Sequence, residues 1–474
     1  MSVVVHISGE DSCHDRSLRL GSALASTLAQ HKVPTVLILE CESAGEAALF
    51  QELHPIAAKS ALAQLSTQFT SSFLVSLSPA PEAVLTAAAS LRFATLRLSA
   101  EDPAQASLAV LQHLAQLHRQ QQPGCLVVGY VMKRSRQLSL LAEGLLPLKP
   151  VENLCFMPLD ITHNLASQQP FDILLQKPTD YLVETPGCGS VPGFTPDMLR
   201  LHEQLGGLPR VCIVDPLPQV QGVMDRAALA ALLDRVAGEA RQAGVQLHSP
   251  RWRLVHQLEP GLQQRLIEAG LRLPLIVACG VSESHQMALL LHWDGLQGLE
   301  VPLPAVIQEY VDHGGLVWKA YVAGDKVFMT QRKSTPDLQP LVEQLANSSE
   351  DTGIPSCIGF DSLKSLPTAL PWSAAAPGQE PAGASSASGA SKGGKQQSRE
   401  LRQGTVELLA DLLRRQLQLT LFGYDVVSTS TGELVVIDVN FFPSFRGISE
   451  APKALRAALL ARHTEHLAQL KASV

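Results

Sequence analysis

Apolar runs alternate with segments of helical spacing along residues 1–122. VVVHIS and TVLILE predict strands, whereas LRLGSALASTLAQH and ASLAVLQHLAQLHRQ predict helices. Such alternation is typical of a parallel sheet with helices on its faces, so we predict a small Rossmann-like α/β domain here. The segment contains neither a GxGxxG motif nor a P-loop, and it therefore carries no nucleotide-binding signature of its own.

The alternation continues after Pro123-Gly124 and changes character near Leu273. CLVVGYVM, FDILLQKPTDYLV and VCIVDP predict further strands, and RAALAALLDRVAGEARQ predicts a long amphipathic helix. Beyond Leu273 the runs ALLLHW, PAVIQEYV, LVWKAYV and KVFMTQRK are typical of an antiparallel sheet. A helix, GTVELLADLLRRQLQ, and a hairpin around a Thr-Gly turn, LFGYDVVS…GELVVIDVNFF, complete the pattern. The pattern predicts domains at residues 1–122, 123–210 and 211–474.

One segment departs from this pattern. Residues 373–398 form an Ala/Gly/Ser-rich run with few side chains that could build a core. We therefore expect a flexible low-complexity insert within the last domain.

Composition and charge narrow the classes of function. Hydrophobic residues make up 46% of the chain and charged residues 17%, which excludes overall disorder. The formal net charge of −7 argues against a general nucleic-acid-binding protein, so an anionic ligand would need a local basic cluster. The 8 cysteines show no metal-site spacing, and no stretch is long and apolar enough to cross a membrane. With no secretory signal either, we expect a cytoplasmic protein with reduced thiols.

The final hairpin carries the first candidate chemistry. Asp425 lies within an apolar strand, and Asp438 and Asn440 are two residues apart, so the latter two point to the same face. Carboxylate and amide oxygens that converge in this way suit Mg²⁺. The alternative is that these side chains cap turns or pair with buried arginines.

Basic residues supply a second group of candidates. Lys319 lies in the apolar run LVWKAYV, on the face of Val317 and Tyr321, where a buried ammonium needs an anion; a lysine that snorkels from an edge strand is the alternative. Arg332, Lys333 and Ser334 end the next strand and could extend a phosphate-facing wall.

Further basic residues follow predicted strands, as expected for a polyanion site or for an ordinary solvated face, namely Lys133, Arg134, Arg136, Lys177 and Arg226. The loop ACGVSESH, which ends at His285, is either a phosphate cradle or an ordinary turn.

Taken in order, these segments resemble the inositol 1,3,4-trisphosphate 5/6-kinase (inositol-tetrakisphosphate 1-kinase) family, which has the ATP-grasp fold. The resemblance is carried by GYVMKRSR, PFDILLQKPTD, VDPLPQVQGVMDR, VACGVSESHQMAL, IQEYVDHGGLVWKAYVAGDKV, RKSTPD, FDSLKSLP and LFGYDVVS…VVIDVNFFPSFRGIS. It implies a pre-ATP-grasp α/β domain at 123–210 and an ATP-grasp catalytic domain at 211–474. Longer plant members carry an extra N-terminal domain similar to a degenerate haloacid-dehalogenase-like fold, and residues 1–122 would occupy its place, although no dehalogenase-type DxD is present.

The resemblance also implies an activity and roles for particular residues. The expected function is an ATP- and Mg²⁺-dependent inositol polyphosphate kinase, a monomer without nucleic-acid or membrane partners. The implied sets are catalytic His285 and Lys319; nucleotide-binding Gln308, Glu309, Tyr310, Val311, Lys319 and Ser334; magnesium-binding Asp425, Asp438 and Asn440; and substrate-binding Arg136, Lys177, Arg226, His285, Lys319, Asn440 and Ser444. Arg136 stands where the family has a lysine, and Ser444 where glycine is common.

One departure from the family pattern leaves two other functions open. The family reads roughly PLI-x-KP-x-VACG, whereas this chain reads PLIVACG, so about four residues, including a phosphate-binding lysine, are missing between Ile276 and Val277. No lysine or arginine between Arg272 and Lys319 replaces it. A non-catalytic inositol-phosphate sensor is therefore one alternative. An ATP-grasp carboxylate–amine ligase is another, because fold does not fix function, but a small amino acid would not need so many basic groups.

Overall fold

A computed structural model describes residues 2–8, 26–27, 30–31, 35–40, 72–76, 94–97, 103–168, 170–183, 193–280, 286–347, 353–361 and 401–472. The predicted insert at 373–398, the predicted first helix for the most part, and His285 lie outside these described residues. In the described part of the chain, no helix combines the length and apolar content that a membrane crossing requires.

The elements are numbered in chain order. The strands are β1 Ser2–Ser8, β2 Thr35–Glu40, β3 Ser72–Ser76, β4 Ala94–Arg97, β5 Leu126–Val131, β6 Leu154–Pro158, β7 Ile173–Gln176, β8 Cys212–Ile213, β9 Leu247–His248, β10 Trp252–Val255, β11 Leu275–Cys279, β12 Gln286–Leu290, β13 Ala305–Glu309, β14 Leu316–Ala323, β15 Lys326–Lys333, β16 Cys357–Asp361, β17 Leu421–Ser428 and β18 Leu434–Phe441. The helices are α1 Pro103–Gln121, α2 Arg134–Ala142, α3 Pro196–Gly206, α4 Leu217–Met224, α5 Arg226–Gln242, α6 Leu262–Glu268, α7 Gln339–Asn347, α8 Gln403–Leu417 and α9 Ala451–Ala472. Short 3₁₀ turns occur at Leu165–Ser167, Pro178–Asp180 and Trp293–Leu296.

The chain divides into two compact units. Unit 1 contains Met1–Asp180, Pro196–Val214 and Arg446–Val474, and unit 2 contains Tyr181–Thr195 and Asp215–Phe445. Unit 1 has a parallel sheet of order β2-β1-β3-β4 and another of order β6-β5-β7-β8. The strands β6 and β7 are buried along their whole length, as expected of parallel strands with both faces covered. These sheets agree with the α/β pattern predicted for the first part of the chain.

The first sheet of unit 2 has the order β10-β13-β11-β12-β16, with antiparallel pairing throughout. One face packs on a core that includes Leu262 and Leu266 of α6. The other face packs against α7 through Leu341, Val342 and Leu345. Both faces are therefore apolar, which explains why the runs that form this sheet read as continuous hydrophobic segments.

The second sheet of unit 2 has the order β15-β14-β17-β18-β9 and carries the candidate site. Its strands pair antiparallel, except that β18 and β9 are parallel. The helices α4, α5 and α8 pack together on this part of the unit. Tyr424 of β17 is fully buried and its hydroxyl donates to the Val406 carbonyl oxygen of α8 at 2.5 Å. Its neighbour in β17, Asp425, therefore points to the opposite face of the sheet.

Most predicted elements lie where the pattern placed them. The helix predicted from RAALAALLDRVAGEARQ is α5, and it begins after Asp225, whose side chain accepts from the backbone N–H groups of Ala227 and Ala228. The strand predicted from FDILLQKPTDYLV is shorter than expected, because β7 ends at Gln176 and Pro178–Asp180 form a 3₁₀ turn. Proline cannot donate to a strand ladder, which accounts for this early end.

Candidate active site

A row of charged side chains crosses the centre of the second sheet of unit 2. Lys319 of β14 pairs directly with Asp425 of β17, and Asp425 pairs with Asp438 of β18. The Lys319 ammonium donates to Asp425 Oδ2 at 2.6 Å. Val317 and Tyr321, which flank Lys319 on the same face, are buried. The pairing confirms that Lys319 has an anionic partner within the sheet rather than serving as an edge-strand lysine.

A β-bulge keeps Asp438 in this row. Register shifts beyond the Asp425–Asp438 pair, because Val426 pairs with Val436 and Ile437 is left as the extra residue of β18. Bulges re-aim side chains and are common beside functional sites. Asn440 lies two residues beyond Asp438, and its Nδ2 donates to Asp438 Oδ2 at 2.8 Å. This contact confirms the prediction that both side chains share one face.

The row has an unusual electrostatic balance. Only 14% of the Asp425 side chain is exposed, and this burial raises the pKa of its carboxyl group above the ordinary value. Lys319 opposes that shift, whereas the neighbouring Asp438 carboxylate reinforces it. The pKa of Lys319 is itself raised, because the Asp425 and Asp438 charges and the hydrogen bond together outweigh its own burial. One ammonium therefore faces two carboxylates that repel each other.

This donor set fits a hard divalent cation. Mg²⁺ is usually held by one or two carboxylates together with substrate phosphates, and Asn440 adds an amide oxygen beside Asp438. The hydrogen bonds to Lys319 and Asn440 both use the Oδ2 atoms of the carboxylates. Among the described residues there is no group of three or more His, Cys, Asp and Glu side chains that could hold a metal ion. Any cation bound here would thus complete its coordination with ligand oxygens.

An apolar patch adjoins the charged row on the same face. Val317, Val427 and Val435 form a buried cluster, and Val311 packs against it. Val311 follows β13, so the chain that leaves the first sheet of unit 2 reaches the second sheet at this patch. Apolar side chains beside a charged row suit a nucleotide, because its base is apolar and its phosphates are charged.

Two loops beside the patch form a hydrogen-bonded structure that we call the hinge clamp, residues 310–315 with 334–339. His313 Nδ1 donates to the Val311 carbonyl oxygen at 2.6 Å, and in the neutral ring Nε2 accepts from the Ser334 hydroxyl at 2.8 Å. The Asp337 carboxylate accepts from the backbone N–H groups of His313 and Gly314. In return, Asp312 accepts from the backbone N–H groups of Leu338 and Gln339 at the start of α7. The clamp therefore fixes both Val311 and Ser334.

Comparison with known proteins identifies the family of the domain that contains this site. Residues 242–353 and 393–460 match the family model described as the inositol 1,3,4-trisphosphate 5/6-kinase ATP-grasp domain. The domain formed by these residues belongs to that family. The match also establishes the ATP-grasp fold, and it includes the charged row, the apolar patch and the hinge clamp.

Plant relatives in this family extend the likeness beyond the matched domain. Inositol-tetrakisphosphate 1-kinase 6 of Oryza sativa subsp. indica is 34% identical over 337 residues, which cover 68% of this chain and 57% of that protein. Inositol-tetrakisphosphate 1-kinase 1 of the same plant is 27% identical over 340 residues, covering 68% of this chain and 80% of that protein. The enzyme of that name in Zea mays is 28% identical over 328 residues, covering 67% and 83%. The chain thus spans little more than half the length of the first of these relatives.

In this 5/6-kinase-family domain, the predicted nucleotide-binding residues Gln308, Glu309 and Tyr310 each contact a different part of unit 2. The Glu309 carboxylate accepts from the backbone N–H of Arg251 at 2.8 Å and from its guanidinium at 3.0 Å. Tyr310 donates to the Pro336 carbonyl oxygen within the clamp. Gln308 pairs with Trp252 and Ile276 in the sheet. The side chain of Glu309 is therefore used to hold β13 against the segment before β10, and a nucleotide would meet the backbone at this position.

The predicted substrate-binding residues lie in both units. In unit 1, Lys177 directly follows β7, and its backbone N–H donates to the Val131 carbonyl oxygen at the end of β5. Arg136 lies in the first turn of α2, which also follows β5. Both residues therefore lie at the carboxyl-terminal edge of the sheet, as predicted from the strand order.

In unit 2, the structure brings together two motifs that were singled out separately. Arg226 begins α5, and its backbone N–H donates to the Gly280 carbonyl oxygen at 3.0 Å. Gly280 directly follows β11 and is the last residue of the ACG sequence, so the start of α5 lies beside Gly280. Ser444 follows β18 and is half-buried. Sequence reasoning did not reveal the contact between Arg226 and Gly280, because no local pattern indicates that residues so far apart in sequence are neighbours.

Strand β11, where the family resemblance implies a missing lysine, is regular. Leu275, Val277 and Cys279 of β11 face the α6 core, whereas Ile276 packs on the side of α7. Pairing with β12 and β13 continues without a bulge through Ile276 and Val277. A deletion of an even number of residues preserves which side chains face which way. The strand is therefore regular across Ile276 and Val277, where the family resemblance implies missing residues.

Proposed function

We propose that the chain is an ATP- and Mg²⁺-dependent inositol polyphosphate kinase. It transfers the γ-phosphoryl group of ATP to a hydroxyl of inositol 1,3,4-trisphosphate, at the 5- or 6-position, or of inositol 3,4,5,6-tetrakisphosphate, at the 1-position. The observation that carries the proposal is the Lys319–Asp425–Asp438 row within a domain of the 5/6-kinase family.

The residues of unit 2 have complementary roles in this reaction. The apolar patch and the backbone of 308–311 receive the adenine, while the clamp holds Val311 and Ser334 in place. Lys319 binds phosphate oxygens, and Asp425, Asp438 and Asn440 hold Mg²⁺. When bound, Mg²⁺ neutralises charge on the terminal phosphates during in-line transfer. Because phosphoryl transfer needs little covalent chemistry from the protein, positioning and charge suffice.

The acceptor is proposed to bind through basic and polar side chains. His285 orients or deprotonates the attacking hydroxyl. Each phosphate of the acceptor is neutralised by side chains rather than by the overall field, since the chain is acidic. The proposed acceptor-binding residues are Arg136, Lys177, Arg226, His285, Lys319, Asn440 and Ser444.

Two other functions are less well supported. The likeness to inositol-tetrakisphosphate 1-kinases gives no support to a non-catalytic sensor. A carboxylate–amine ligase would share the fold, but it would not need Arg136, Lys177 and Arg226 together.

A kinase assay separates these functions. Purified chain is incubated with Mg²⁺, ATP labelled in the γ-phosphate, and a panel of inositol tris- and tetrakisphosphates. The proposal requires label in a product with one more phosphate and no transfer without Mg²⁺. Acceptor binding without transfer would identify a sensor, and ATP consumption only with an amine and a carboxylate would identify a ligase.

The remaining parts of the proposal concern the rest of the chain. Residues 1–122 are proposed as a degenerate haloacid-dehalogenase-like domain, supported by the parallel order β2-β1-β3-β4. Residues 123–210 and 211–474 are proposed as the pre-ATP-grasp and ATP-grasp domains. The negative net charge supports a protein that does not bind nucleic acid, and the scattered cysteines support a cytoplasmic one. A monomer without membrane partners is proposed from the family resemblance. Gel filtration with light scattering tests the monomer.

A further inference from the structure

The charged row of unit 2 extends one strand further than its ionic residues. Thr330 of β15 pairs directly with Lys319, which in turn pairs with Asp425. Directly paired residues of antiparallel strands share a face, with Cβ atoms about 4.5–5.5 Å apart. Thr330, Lys319, Asp425 and Asp438 therefore form one continuous line across β15, β14, β17 and β18.

The hydroxyl of Thr330 is buried and unused by the fold. Its Oγ1 atom is shielded from solvent and has no hydrogen-bond partner among the described residues. The nearest cation in the row is already committed, since Lys319 donates to Asp425. A buried hydroxyl without a partner is unfavourable, and valine would fill the same space without that cost. The position thus has a polar group that the folded chain alone does not need.

The order of residues along the row indicates which ligand would use this hydroxyl. The carboxylates lie on the β17 and β18 side of Lys319, whereas Thr330 lies on the β15 side. Arg332, two residues further along β15 and on the same face, pairs with Val317 of the apolar patch. Hydrogen-bond donors therefore line one side of Lys319 and carboxylates the other. A phosphate chain held over Lys319 would find the side-chain donors of Thr330 and Arg332 towards β15, and would meet the two carboxylates on the other side.

We propose that Thr330 is a nucleotide-binding residue whose hydroxyl, shielded from solvent in the free chain, is uncovered when ATP binds and donates a hydrogen bond to one of its phosphate oxygens. This assignment rests on the proposed kinase function and adds to it a contact on the strand beyond Lys319. Because the hydroxyl is unsatisfied without nucleotide, its removal should affect the free and the ATP-bound chain in opposite directions.

The test compares Thr330→Val with Thr330→Ser in the full chain. Thermal unfolding without nucleotide measures the effect on the fold, and calorimetric titration with ATP and Mg²⁺ measures binding. We expect Thr330→Val to melt at the same temperature as the unsubstituted chain or higher, while its Kd for ATP rises roughly tenfold, as for loss of a hydrogen bond to a charged group. Thr330→Ser keeps the hydroxyl and should bind ATP nearly normally.

Controls separate this contact from a general effect of threonine removal. Thr464 of α9, whose hydroxyl donates to Leu460, is far along the chain from the row, and Thr464→Val should leave ATP affinity unchanged. Thr330→Ala provides a second removal of the hydroxyl if the valine variant fails to fold. In steady state, the KM for ATP should rise, whereas the KM for the inositol phosphate should not.

Two results would overturn the assignment, and they differ in what else they reject. If the unsubstituted chain binds ATP with Mg²⁺ and Thr330→Val and Thr330→Ala bind it equally well, the Thr330 contact alone is wrong. If the unsubstituted chain fails to bind ATP with Mg²⁺, the proposed function is wrong together with the contact.

Discussion

The two sheets of unit 2 differ in whether their central strands carry charged side chains. In the first sheet, the central strand β11 and its neighbour β12 contain no charged residue, and both faces pack into apolar cores. In the second sheet, one face carries the buried Tyr424 and the other carries the line from Thr330 to Asp438. The first sheet is therefore regular across the position where the family resemblance implies a missing lysine. The second sheet carries costly groups that packing alone would not favour.

This difference indicates where selection for chemistry has acted on the domain. Charges that are half-buried and close together contribute little or nothing to stability compared with well-packed apolar residues. Their retention across three strands points to a ligand that needs them. A strand such as β11, by contrast, is stabilised by burial whether or not a lysine is nearby.

The largest expected effect is at Asp438. Replacement by alanine removes a proposed Mg²⁺ ligand, so the rate of phosphoryl transfer should fall by more than about 100-fold. Binding of inositol phosphate should remain largely intact, because it rests on the basic residues. Asp411→Ala, which removes an exposed carboxylate of α8, is the matched control for an assay of both quantities. Equal loss of acceptor binding and catalysis would instead show that the hairpin carboxylates organise the whole site.

Lys319→Met should affect both the fold and ATP binding. Asp425 would remain buried without its counter-charge, and breaking a fully buried ion pair costs about 3–5 kcal/mol. Because 37% of the Lys319 side chain is exposed, we expect a smaller loss of about 1–3 kcal/mol in urea unfolding. Adding Asp425→Asn should recover stability but not ATP binding. If the single variant is as stable as the unsubstituted chain, the ion pair has no structural role.

The first sheet provides the third prediction. If the missing lysine weakens phosphate binding, the chain should bind ATP poorly, and a four-residue Lys-Pro-containing segment inserted after Ile276 should raise affinity roughly tenfold to a hundredfold. A matched insertion with methionine in place of lysine separates charge from strand length. If the chain without any insertion is already as active as the lysine variant, the row in the second sheet suffices and the lysine argument is wrong.

The smallest expected effect is at the hinge clamp, which links the two sheets of unit 2. His313→Ala removes the hydrogen bonds to Val311 and Ser334, so the melting temperature should fall and the KM for ATP should rise severalfold, with kcat little changed. His292→Ala, at a more exposed histidine, is the control. A lower melting temperature with unchanged KM would mean that the clamp stabilises the fold but does not position nucleotide.

The elements themselves were largely predictable, because periodicity is local. The spacing of apolar residues places α5, and the alternation along LVWKAYV places Lys319 on the face of Val317 and Tyr321. Two-residue spacing was enough to place Asp438 and Asn440 side by side. Each of these inferences needs only the geometry of a single helix or strand.

The contacts that make the site were not predictable, because they depend on register between distant segments. Lys319 and Asp425 are 106 residues apart, and no local pattern indicates their pairing. The bulge at Ile437 and the hydrogen bond from Arg226 to Gly280 are likewise consequences of tertiary packing. The contact between Glu309 and Arg251 was not predictable either, because the two residues are 58 apart in sequence.

The central claim is that the carboxylates of the hairpin, on the second sheet alone, hold the metal that accompanies ATP. Electron paramagnetic resonance of Mn²⁺, which substitutes for Mg²⁺, measures this directly in the presence of ATP. The full chain should show bound Mn²⁺, Asp438→Asn should lose most of that signal, and Asp411→Asn should keep it. Equal Mn²⁺ binding by the chain and by Asp438→Asn would contradict the account.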